Sequence, residues 1–359
     1  MKKTVKIIAL LIAFVMAFGM LAACESEKKD EQPPTDAAGN NSGGGLAPLG
    51  NGKDLYTDTI KISVISISTA GVVSRLYQNA MLEQATRYPN VQLDFKDSEY
   101  NPNRQITLIQ EAITQGFDAI ILEGMDPVAT NGAIEEAERA GIPVLTVNGA
   151  QPTTLHSLNI AGAPYFAGWE SGRLLDEMTR GQSNRTAIIL DAPPMLKPSA
   201  NMGTGFEDYI TTMSDIKLLE PAIGIENFLA ENAQTAMRDM LTKYGPGEIT
   251  MVYCASDDMA VGALNAIDQA GRAGDLLVFG MMGYPPGLEA VRDGRLTGTM
   301  FNDTYSQSAH LFYSALYFIS TGLTAYTAGY TETPRVEQPL FPVTSENVDY
   351  MIAISRYGS

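Results

Sequence analysis

The chain has 359 residues, of which 45% are hydrophobic and 18% charged, so it can bury a large core and is near the length of two domains. Lys plus Arg number 24 against 41 Asp plus Glu, and the formal charge of −17 argues against nucleic acid or an anionic membrane as a general partner. Only His156 and His310 are available as histidine ligands, so no histidine metal cluster and no cofactor site are expected. Cys24 and Cys254 lie in such different contexts that no disulfide is expected between them.

Residues 1–23 are predicted to be an export signal. Lys2, Lys3 and Lys6 precede an apolar run over 7–20, which is shorter than the roughly 20 residues of a membrane-spanning helix. The run ends in Leu-Ala-Ala-Cys24, which resembles the lipobox of bacterial lipoproteins. That resemblance implies cleavage before Cys24, lipidation of its thiol and anchoring outside the bacterial cell membrane; an ordinary signal peptide with a chance cysteine is the alternative.

The next segment, 24–55, is predicted to be a disordered tether. It is composed mainly of Ser, Asp, Glu, Pro, Asn and Gly, with almost nothing to bury. A flexible tether of this length reaches on the order of 30 Å and would keep a globular body close to the membrane.

Beyond the tether, strand-like and helix-like segments alternate. Residues 60–64 alternate apolar and polar side chains, and the wholly apolar 119–122 is typical of a strand buried on both faces. Asp126 followed by Pro127 predicts the start of a helix that ends at Gly141. The repeated strand–helix–strand pattern predicts an α/β fold with a parallel, doubly wound sheet. The other elements predicted here are helices over 74–88 and 102–115 and strands over 91–95 and 142–147.

The same alternation restarts in the second half of the chain and predicts a second doubly wound lobe. Because ligands of such sheets lie beyond the carboxyl ends of the strands, two facing lobes would surround one cleft with strand-end residues. The predicted strands are 186–190, 216–219, 249–254, 276–279 and 298–301, and the predicted helices are 165–180, 203–213, 233–244, 257–270 and 286–293.

Several of these segments resemble one known family. Residues 118–122 (DAIIL), Asp126-Pro127 and 140–144 (AGIPV) are similar to the first lobe of type I periplasmic binding proteins, the ribose-binding-like sugar-binding group that supplies ABC importers. Residues 256–263 (SDDMAVGA) resemble the family's Asn-Asp-x-Met-Ala-x-Gly-Ala motif, and the resemblance covers about 57–345. It implies two Rossmann-like lobes joined by three hinge crossovers.

The resemblance also sets the expected lobe boundaries. The N-terminal lobe is expected to comprise 56–162 with 303–334, and the C-terminal lobe 163–302 with 335–359. The crossovers would then lie near 161–163, 302–304 and 334–337.

At the family's ligand-contact positions the sequence repeatedly departs from the pattern. Asn148 and Met282 replace acidic residues that grip sugar hydroxyls, Ser256 replaces an Asn, and the usual Arg before Gly205 is absent. The loop after the first strand, which contains Thr69, has no aromatic ring. Because hydrogen bonds to charged groups contribute about 1.5–3 kcal/mol each, an ordinary pentose or hexose is not expected to bind in the usual way.

Other side chains are candidates to compensate for these losses. Glu123 and Asp191 end predicted strands and would favour an amine or other cationic ligand, whereas Lys197 is a candidate to replace the missing Arg. The sequence leaves these alternatives open. The ligand-binding candidates are Asn148, Phe228, Ser256, Met282, Asn302, Thr69, Glu123 and Asp191.

Structural roles compete with some of these assignments. Ser256 is equally interpretable as a helix N-cap, and Asp257 is better interpreted as a first-turn helix residue than as a ligand contact. Cys254 has no histidine nearby in sequence and is interpreted as a small buried side chain. The chain has no nucleophile elbow, no phosphate loop and no zinc spacing, so it is not expected to be an enzyme.

The function expected from these features is that of a monomeric, lipid-anchored substrate-binding protein of an ABC importer. It would bind a small carbohydrate-like ligand and deliver it to a membrane permease. A ligand-sensing receptor for a membrane kinase or chemoreceptor is the alternative from another class, and an amine or nucleoside is the alternative ligand. The predicted export signal argues against a third alternative, a transcription regulator with the related sugar-repressor fold.

Overall fold

The computed structural model describes residues 52–147, 152–193 and 201–355, which form two α/β lobes. Each lobe is a parallel sheet covered by helices, and the α/β fold class predicted from the sequence is confirmed. No helix in these ranges is both long and apolar enough to cross a bilayer. The first part of the chain contains β1 (Ile60–Ser66), α1 (Val72–Ala85), β2 (Val91–Asp97), α2 (Pro102–Thr114), β3 (Ala119–Leu122), α3 (Asn131–Arg139), β4 (Val144–Val147) and β5 (Leu158–Gly162).

The remaining elements build the second lobe and return to the first. They are α4 (Pro164–Met178), β6 (Thr186–Asp191), α5 (Met202–Met213), β7 (Lys217–Leu218), β8 (Ile223–Gly224), α6 (Ala230–Lys243), β9 (Met251–Cys254), α7 (Asp257–Gln269), β10 (Leu277–Phe279), α8 (Pro285–Arg292), β11 (Thr299–Phe301), α9 (Thr304–Thr321), β12 (Arg335–Gln338), β13 (Phe341–Val343) and α10 (Val348–Ile354).

The sheet of the N-terminal lobe has six strands in the order β12-β5-β4-β3-β1-β2. Every pairing in it is parallel, as short strands joined through helices require. All four residues of β3 are buried because helices cover both faces. One face packs against α1 and α9, through Met81 and Phe312 among others, and the opposite face packs against α2 and α3, through Ile109 and Ile134.

The C-terminal lobe has a five-stranded sheet with β10, β9, β6 and β7 in order and β8 also paired to β6. A single apolar cluster fills its interior. At its centre the rings of Phe206 and Tyr253 stack with centroids 4.4 Å apart. Burial on this scale is the main force holding each lobe together.

The hinge differs from the sequence-based boundary at one crossover. The first two crossovers follow β5 and β11, close to their expected places. The third was expected at 334–337, but Arg335–Gln338 pairs in parallel with β5 and therefore belongs to the N-terminal sheet. The chain crosses only between β12 and β13, and β13 then pairs antiparallel with β11. The expected boundary was wrong here because strand pairing, which no local pattern encodes, holds these four residues in the first lobe.

Two other local expectations also need correction. The tether was expected to extend through 55, but the Lys53 ammonium lies 2.7 Å from the Asp118 carboxylate and its N–H donates to the Ile319 carbonyl, so the body already begins there. Asp126 was expected to start the third helix. Its carboxylate instead accepts hydrogen bonds from the N–H groups of Val128 and Ala129 in a turn, and α3 begins at Asn131.

Candidate ligand-binding site

Groups at the carboxyl ends of strands from both lobes approach each other across a cleft. The Tyr100 hydroxyl, after β2 in the N-terminal lobe, lies 3.4 Å from the Asn227 carbonyl oxygen, after β8 in the C-terminal lobe. Arg75 on α1 is close enough to Asp258 on α7 to lower the pKa of that carboxyl, which burial raises. This edge of a parallel sheet is where doubly wound folds bind their ligands.

Glu123, which follows β3, is an ionisable residue on the side of the cleft formed by the N-terminal lobe. Its Oε2 accepts a hydrogen bond of 3.1 Å from the Ile67 N–H, while the Gln105 amide donates to its carbonyl oxygen at 2.7 Å. Removal from bulk water raises the pKa of Glu123 to about 7. Near neutral pH the carboxyl therefore exists in both forms, so it can donate a hydrogen bond to a hydroxyl or, when ionised, pair with a cation.

Thr69 lies on the same side but is engaged locally. Its N–H and hydroxyl both donate to Oδ2 of Asp97, at 3.1 and 2.6 Å. These bonds, with one from the Glu99 N–H, outweigh burial and lower the pKa of Asp97. The Thr69 hydroxyl thus presents its oxygen, and not its proton, to any further partner.

On the opposite side, Asp191 ends β6 and is fully buried. Its Oδ1 accepts from the Ala192 N–H at 2.9 Å. The start of α5 packs against the carboxylate so closely that a Cβ on Gly203 would lie 2.1 Å from Oδ1. The Asp191 carboxylate is thus packed against the start of α5 in its own lobe.

Ser256 and Asp257 fix the start of α7. The Ser256 hydroxyl accepts from the Met259 N–H at 3.2 Å, which is the N-cap interaction. Asp257 is buried and accepts from the Tyr284 N–H at 2.6 Å and the Thr299 hydroxyl at 2.7 Å. Burial raises the pKa of Asp257 to about 8. Asp257 thus ties α7 to α8 and β11, and the next residue, Asp258, is the one that interacts with Arg75 of the other lobe.

Phe228 and Met282 occupy backbone conformations that side chains rarely adopt. Phe228 has a φ of 55°, and it is half-buried against the core of the C-terminal lobe. Met282 follows β10 with a φ of 93°, and its carbonyl accepts from the Asn302 N–H at 3.0 Å. Both residues follow the carboxyl end of a strand in the C-terminal sheet, and their contact with a ligand stays a prediction.

Asn302 belongs to a buried hydrogen-bond network in the hinge. Its amide exchanges two hydrogen bonds with the amide of Gln307, at 2.9 and 3.3 Å. Gln307 also accepts from the Tyr77 hydroxyl. A ligand that used the Asn302 amide would have to share it with this network.

Three residues named from the sequence lie outside the described residues: Asn148, Lys197 and Cys24. Their predicted contacts and the lipidation of Cys24 stay predictions. Cys254 is fully buried, and burial raises the pKa of its thiol. Within 52–147, 152–193 and 201–355, no three His, Cys, Asp or Glu side chains are grouped as a metal site requires.

Tyr100 was not identified from the sequence. Burial is the main cause of the raised pKa of its phenol, and the carboxylates of Glu123, Asp97 and Asp258 add to it. A signal was available, because this aromatic residue falls between the end of β2 and Asn101, whose side chain caps α2.

Residues 65–322 match the periplasmic binding protein domain family. The chain belongs to that family. Its members are extracytoplasmic solute-binding proteins and not enzymes, in agreement with the prediction from the sequence.

Relatives and solved structures extend the match along most of the chain. The xylitol-binding protein of Mycolicibacterium smegmatis is 28% identical over 277 residues, 77% of each chain. The ribose import binding protein RbsB of Bacillus subtilis is 28% identical over 305 residues, 84% of this chain and 88% of that protein. The myo-inositol binding protein of Caulobacter has the same fold, with a TM-score of 0.74 at 19% identity over 86% of this chain and 99% of its own.

Proposed function

We propose that this periplasmic binding protein family member is the substrate-binding lipoprotein of an ABC importer. A small carbohydrate-like solute binds between the lobes, stabilises the closed state by its contacts with both, and is delivered to a membrane permease. The observation that carries the proposal is the approach of Glu123 and Tyr100 from one lobe to Asn227 and Asp258 of the other, because one solute can contact both sets.

The relatives support a polyhydroxylated ligand. Proteins named for xylitol and ribose match most of the chain, and the fold is also that of a protein bound to myo-inositol. Glu123 suits such a ligand because a carboxyl with a pKa near 7 forms hydrogen bonds to hydroxyl groups in either protonation state.

A ligand with a basic nitrogen is the second candidate, and Glu123 and Asp258 favour it. Both carboxyls are partly withdrawn from water, which raises the pKa of each. A protonated amine placed between them would neutralise charge that burial makes unfavourable. Affinity for an amine would then increase as the pH rises through about 7 and Glu123 ionises, whereas affinity for a neutral polyol would change less.

A thermal-shift screen of residues 25–359, which lack Cys24 and its expected lipid, tests the proposal. The panel comprises ribose, xylitol, myo-inositol, glucosamine and adenosine. A true ligand at 100 times its Kd adds about 2.7 kcal/mol of stability, which raises the Tm on the order of 2–4 °C. No shift from any hydroxylated compound, or chemical conversion of the bound compound, would contradict the proposal.

Phe228→Ala examines the C-terminal side of the site. The variant should lose most of the ligand-induced shift because aromatic contacts contribute strongly to small-molecule binding. Phe166→Ala is the matched control, since the side chain of Phe166 on α4 is 68% exposed. If both variants lost the same part of the ligand-induced Tm shift, Phe228 would not be a ligand contact.

The membrane anchor is tested separately. We expect Cys24 to carry a diacylglycerol that holds a monomeric body at the outer face of the cell membrane, with its two acyl chains giving stable anchoring. Cys24→Ser should abolish incorporation of labelled fatty acid and release the protein from the membrane. A membrane-bound, unlabelled wild-type protein would overturn this assignment.

A further inference from the structure

Backbone strain among the described residues is concentrated at the cleft. Five non-glycine residues there have a positive φ between 52° and 93°: Glu99, Tyr100, Asn227, Phe228 and Met282. They lie in three turns, one after β2, one between β8 and α6, and one after β10. Such conformations cost on the order of 1–3 kcal/mol each and persist where the surroundings hold them, typically at functional sites.

The turn after β2 is held firmly in its strained form. The Tyr100 N–H donates to the Ile67 carbonyl at 3.0 Å, and the Glu99 N–H donates to the Asp97 carboxylate at 2.7 Å. Asn101 then caps α2. The turn therefore presents Tyr100 in one defined position and has little conformational entropy left to lose when a partner is bound.

The turn that faces it is also held in place. The Phe228 N–H donates to the Ile225 carbonyl at 3.3 Å, and the Asn232 amide donates to the Glu226 carbonyl at 3.0 Å. Ile225 is in turn bonded through its N–H to the Asp191 carbonyl at 3.0 Å. The Asn227 carbonyl is thereby directed at the N-terminal lobe from a turn anchored to β6.

The phenol of Tyr100 suits its charged surroundings. Its pKa is raised by burial first and then by the carboxylates of Glu123, Asp97 and Asp258. The hydroxyl consequently keeps its proton and acts as a neutral donor beside acidic groups of both lobes. Its distance of 3.4 Å from the Asn227 oxygen exceeds the 2.7–2.8 Å typical of an O–H···O bond, so a small further closure would strengthen the contact.

We propose that Tyr100 is the positioning residue that latches the two lobes, its hydroxyl donating to the Asn227 carbonyl as the cleft closes around a solute. The latch stands at the cleft edge, away from the hinge crossovers, and joins two strained turns. It slows opening of the closed state without being needed for folding of either lobe. This inference rests on the proposed solute-binding function, because a latch is useful only if the lobes open and close.

The test removes only the hydroxyl, with Tyr100→Phe. Ribose, xylitol and myo-inositol are the probes, and association and dissociation rates are measured for each probe that shifts the wild-type Tm. We expect the dissociation rate to rise about 3- to 10-fold with little change in the association rate, because the latch forms after the solute enters. The unliganded Tm should stay within about 1 °C. Tyr350→Phe, at a tyrosine 66% exposed on α10, is the control and should leave both rates unchanged.

A second measurement needs no solute. Spin labels at Gln110→Cys on α2 and Asp239→Cys on α6, both exposed, report the distance between the lobes. Cys254 is fully buried and should not take the label. We expect Tyr100→Phe to shift the unliganded distance distribution toward longer values.

The two measurements separate the latch from the solute-binding proposal. Wild-type rates and wild-type distances in Tyr100→Phe would overturn the latch even if a probe binds. If no compound of the full panel binds, glucosamine and adenosine included, the solute-binding proposal fails, and unchanged distances would then overturn the latch independently.

Discussion

Glu138 and Glu123 are two carboxylates of the same lobe, near opposite ends of its strands. Glu138, on α3, accepts from the N–H groups of Val144, Ser157 and Ala325 at 2.7–2.8 Å and from the Ser157 hydroxyl at 3.1 Å. For Glu123, at the cleft, the structure shows one donor, the Ile67 N–H at 3.1 Å. The contrast shows that a saturated carboxylate stabilises the fold, whereas a sparsely bonded one keeps acceptor capacity for a solute.

Backbone strain follows the same division between the ends of the strands. At the amino ends, where helices lead into strands, left-handed residues such as Gly116 and Gly141 are glycines, with φ values of 64° and 87°. At the cleft, residues with side chains adopt left-handed conformations, as Tyr100 and Phe228 do. Glycine adopts a left-handed conformation without steric penalty, so the turns at the amino ends of the strands are unstrained. The turns at the cleft contain residues with a Cβ and therefore retain strain.

The largest expected effect is that of Glu138→Ala. It removes the carboxylate acceptor of three buried backbone N–H groups. The N–H groups of Ser157 and Ala325 keep a second acceptor at 3.1 Å, the Val144 carbonyl and the Ser157 hydroxyl. Hydrogen bonds to a charged group contribute about 1.5–3 kcal/mol each. We expect a loss of about 3 kcal/mol or more in the free energy of unfolding, measured by urea denaturation. Glu136→Ala, at an exposed residue of the same helix, should change it by less than about 0.5 kcal/mol. Equal effects would refute the structural role of Glu138.

Next in size is the pH dependence of Glu123→Gln. Because the pKa of Glu123 is raised to about 7 in the fold, the folded state binds more protons than the unfolded state between about pH 4.5 and 7. Wild type should therefore lose about 1–3 kcal/mol relative to Glu123→Gln as the pH rises through this window. Urea unfolding at pH 4.5, 5.5 and 7 measures the difference, with exposed Glu111→Gln as the control. A constant difference across the three pH values would show that the carboxyl is not withdrawn from water.

Gly141→Ala should have a smaller effect, confined to the backbone. Nothing lies within 4 Å of the added Cβ, so the expected loss of about 1–2 kcal/mol comes from its φ of 87° alone. Gly132→Ala, also in open space but inside α3, should instead stabilise by about 0.5–1 kcal/mol. If both substitutions changed the free energy of unfolding in the same direction, the effect at Gly141 would not come from backbone strain.

The smallest effect is expected at Glu99, whose φ is 52°. Glu99→Gly and Glu99→Ala both remove its exposed ion pair with Arg104, but only glycine relieves the left-handed strain. Glu99→Gly should therefore be more stable than Glu99→Ala by about 1 kcal/mol, which thermal unfolding measures. An alanine variant of equal stability would mean that the turn is unstrained.

Local sequence patterns predicted most of the sheets. The fully apolar 119–122 became β3, in which every residue is buried as the pattern predicts. The alternating 60–64 became β1, where the polar Ser63 is buried as well. The strand β5, Leu158–Gly162, was not predicted, although it is entirely buried. The placement of β12 in the first sheet depends on pairing with β5, a long-range contact with no local signal.

The candidate site could be predicted only in part. Glu123 was named because it ends a predicted strand, and Phe228 because of the family resemblance; Glu123 follows β3 and Phe228 follows β8. Tyr100 was missed because its role depends on Asn227, 127 residues away in sequence. Which donors surround each carboxyl was also beyond the sequence, as the difference between Glu138 and Glu123 shows.

The sequence by itself determined the α/β class, the order of most elements and the family, because periodicity, caps and motifs are local properties. Only the tertiary structure decided that β12 belongs to the first sheet, that Glu123 is left with acceptor capacity, and that two strained turns meet at Tyr100. The physical reason is that pairing, desolvation and contact across a cleft are set by residues distant in sequence, and their energies exist only once the lobes are assembled.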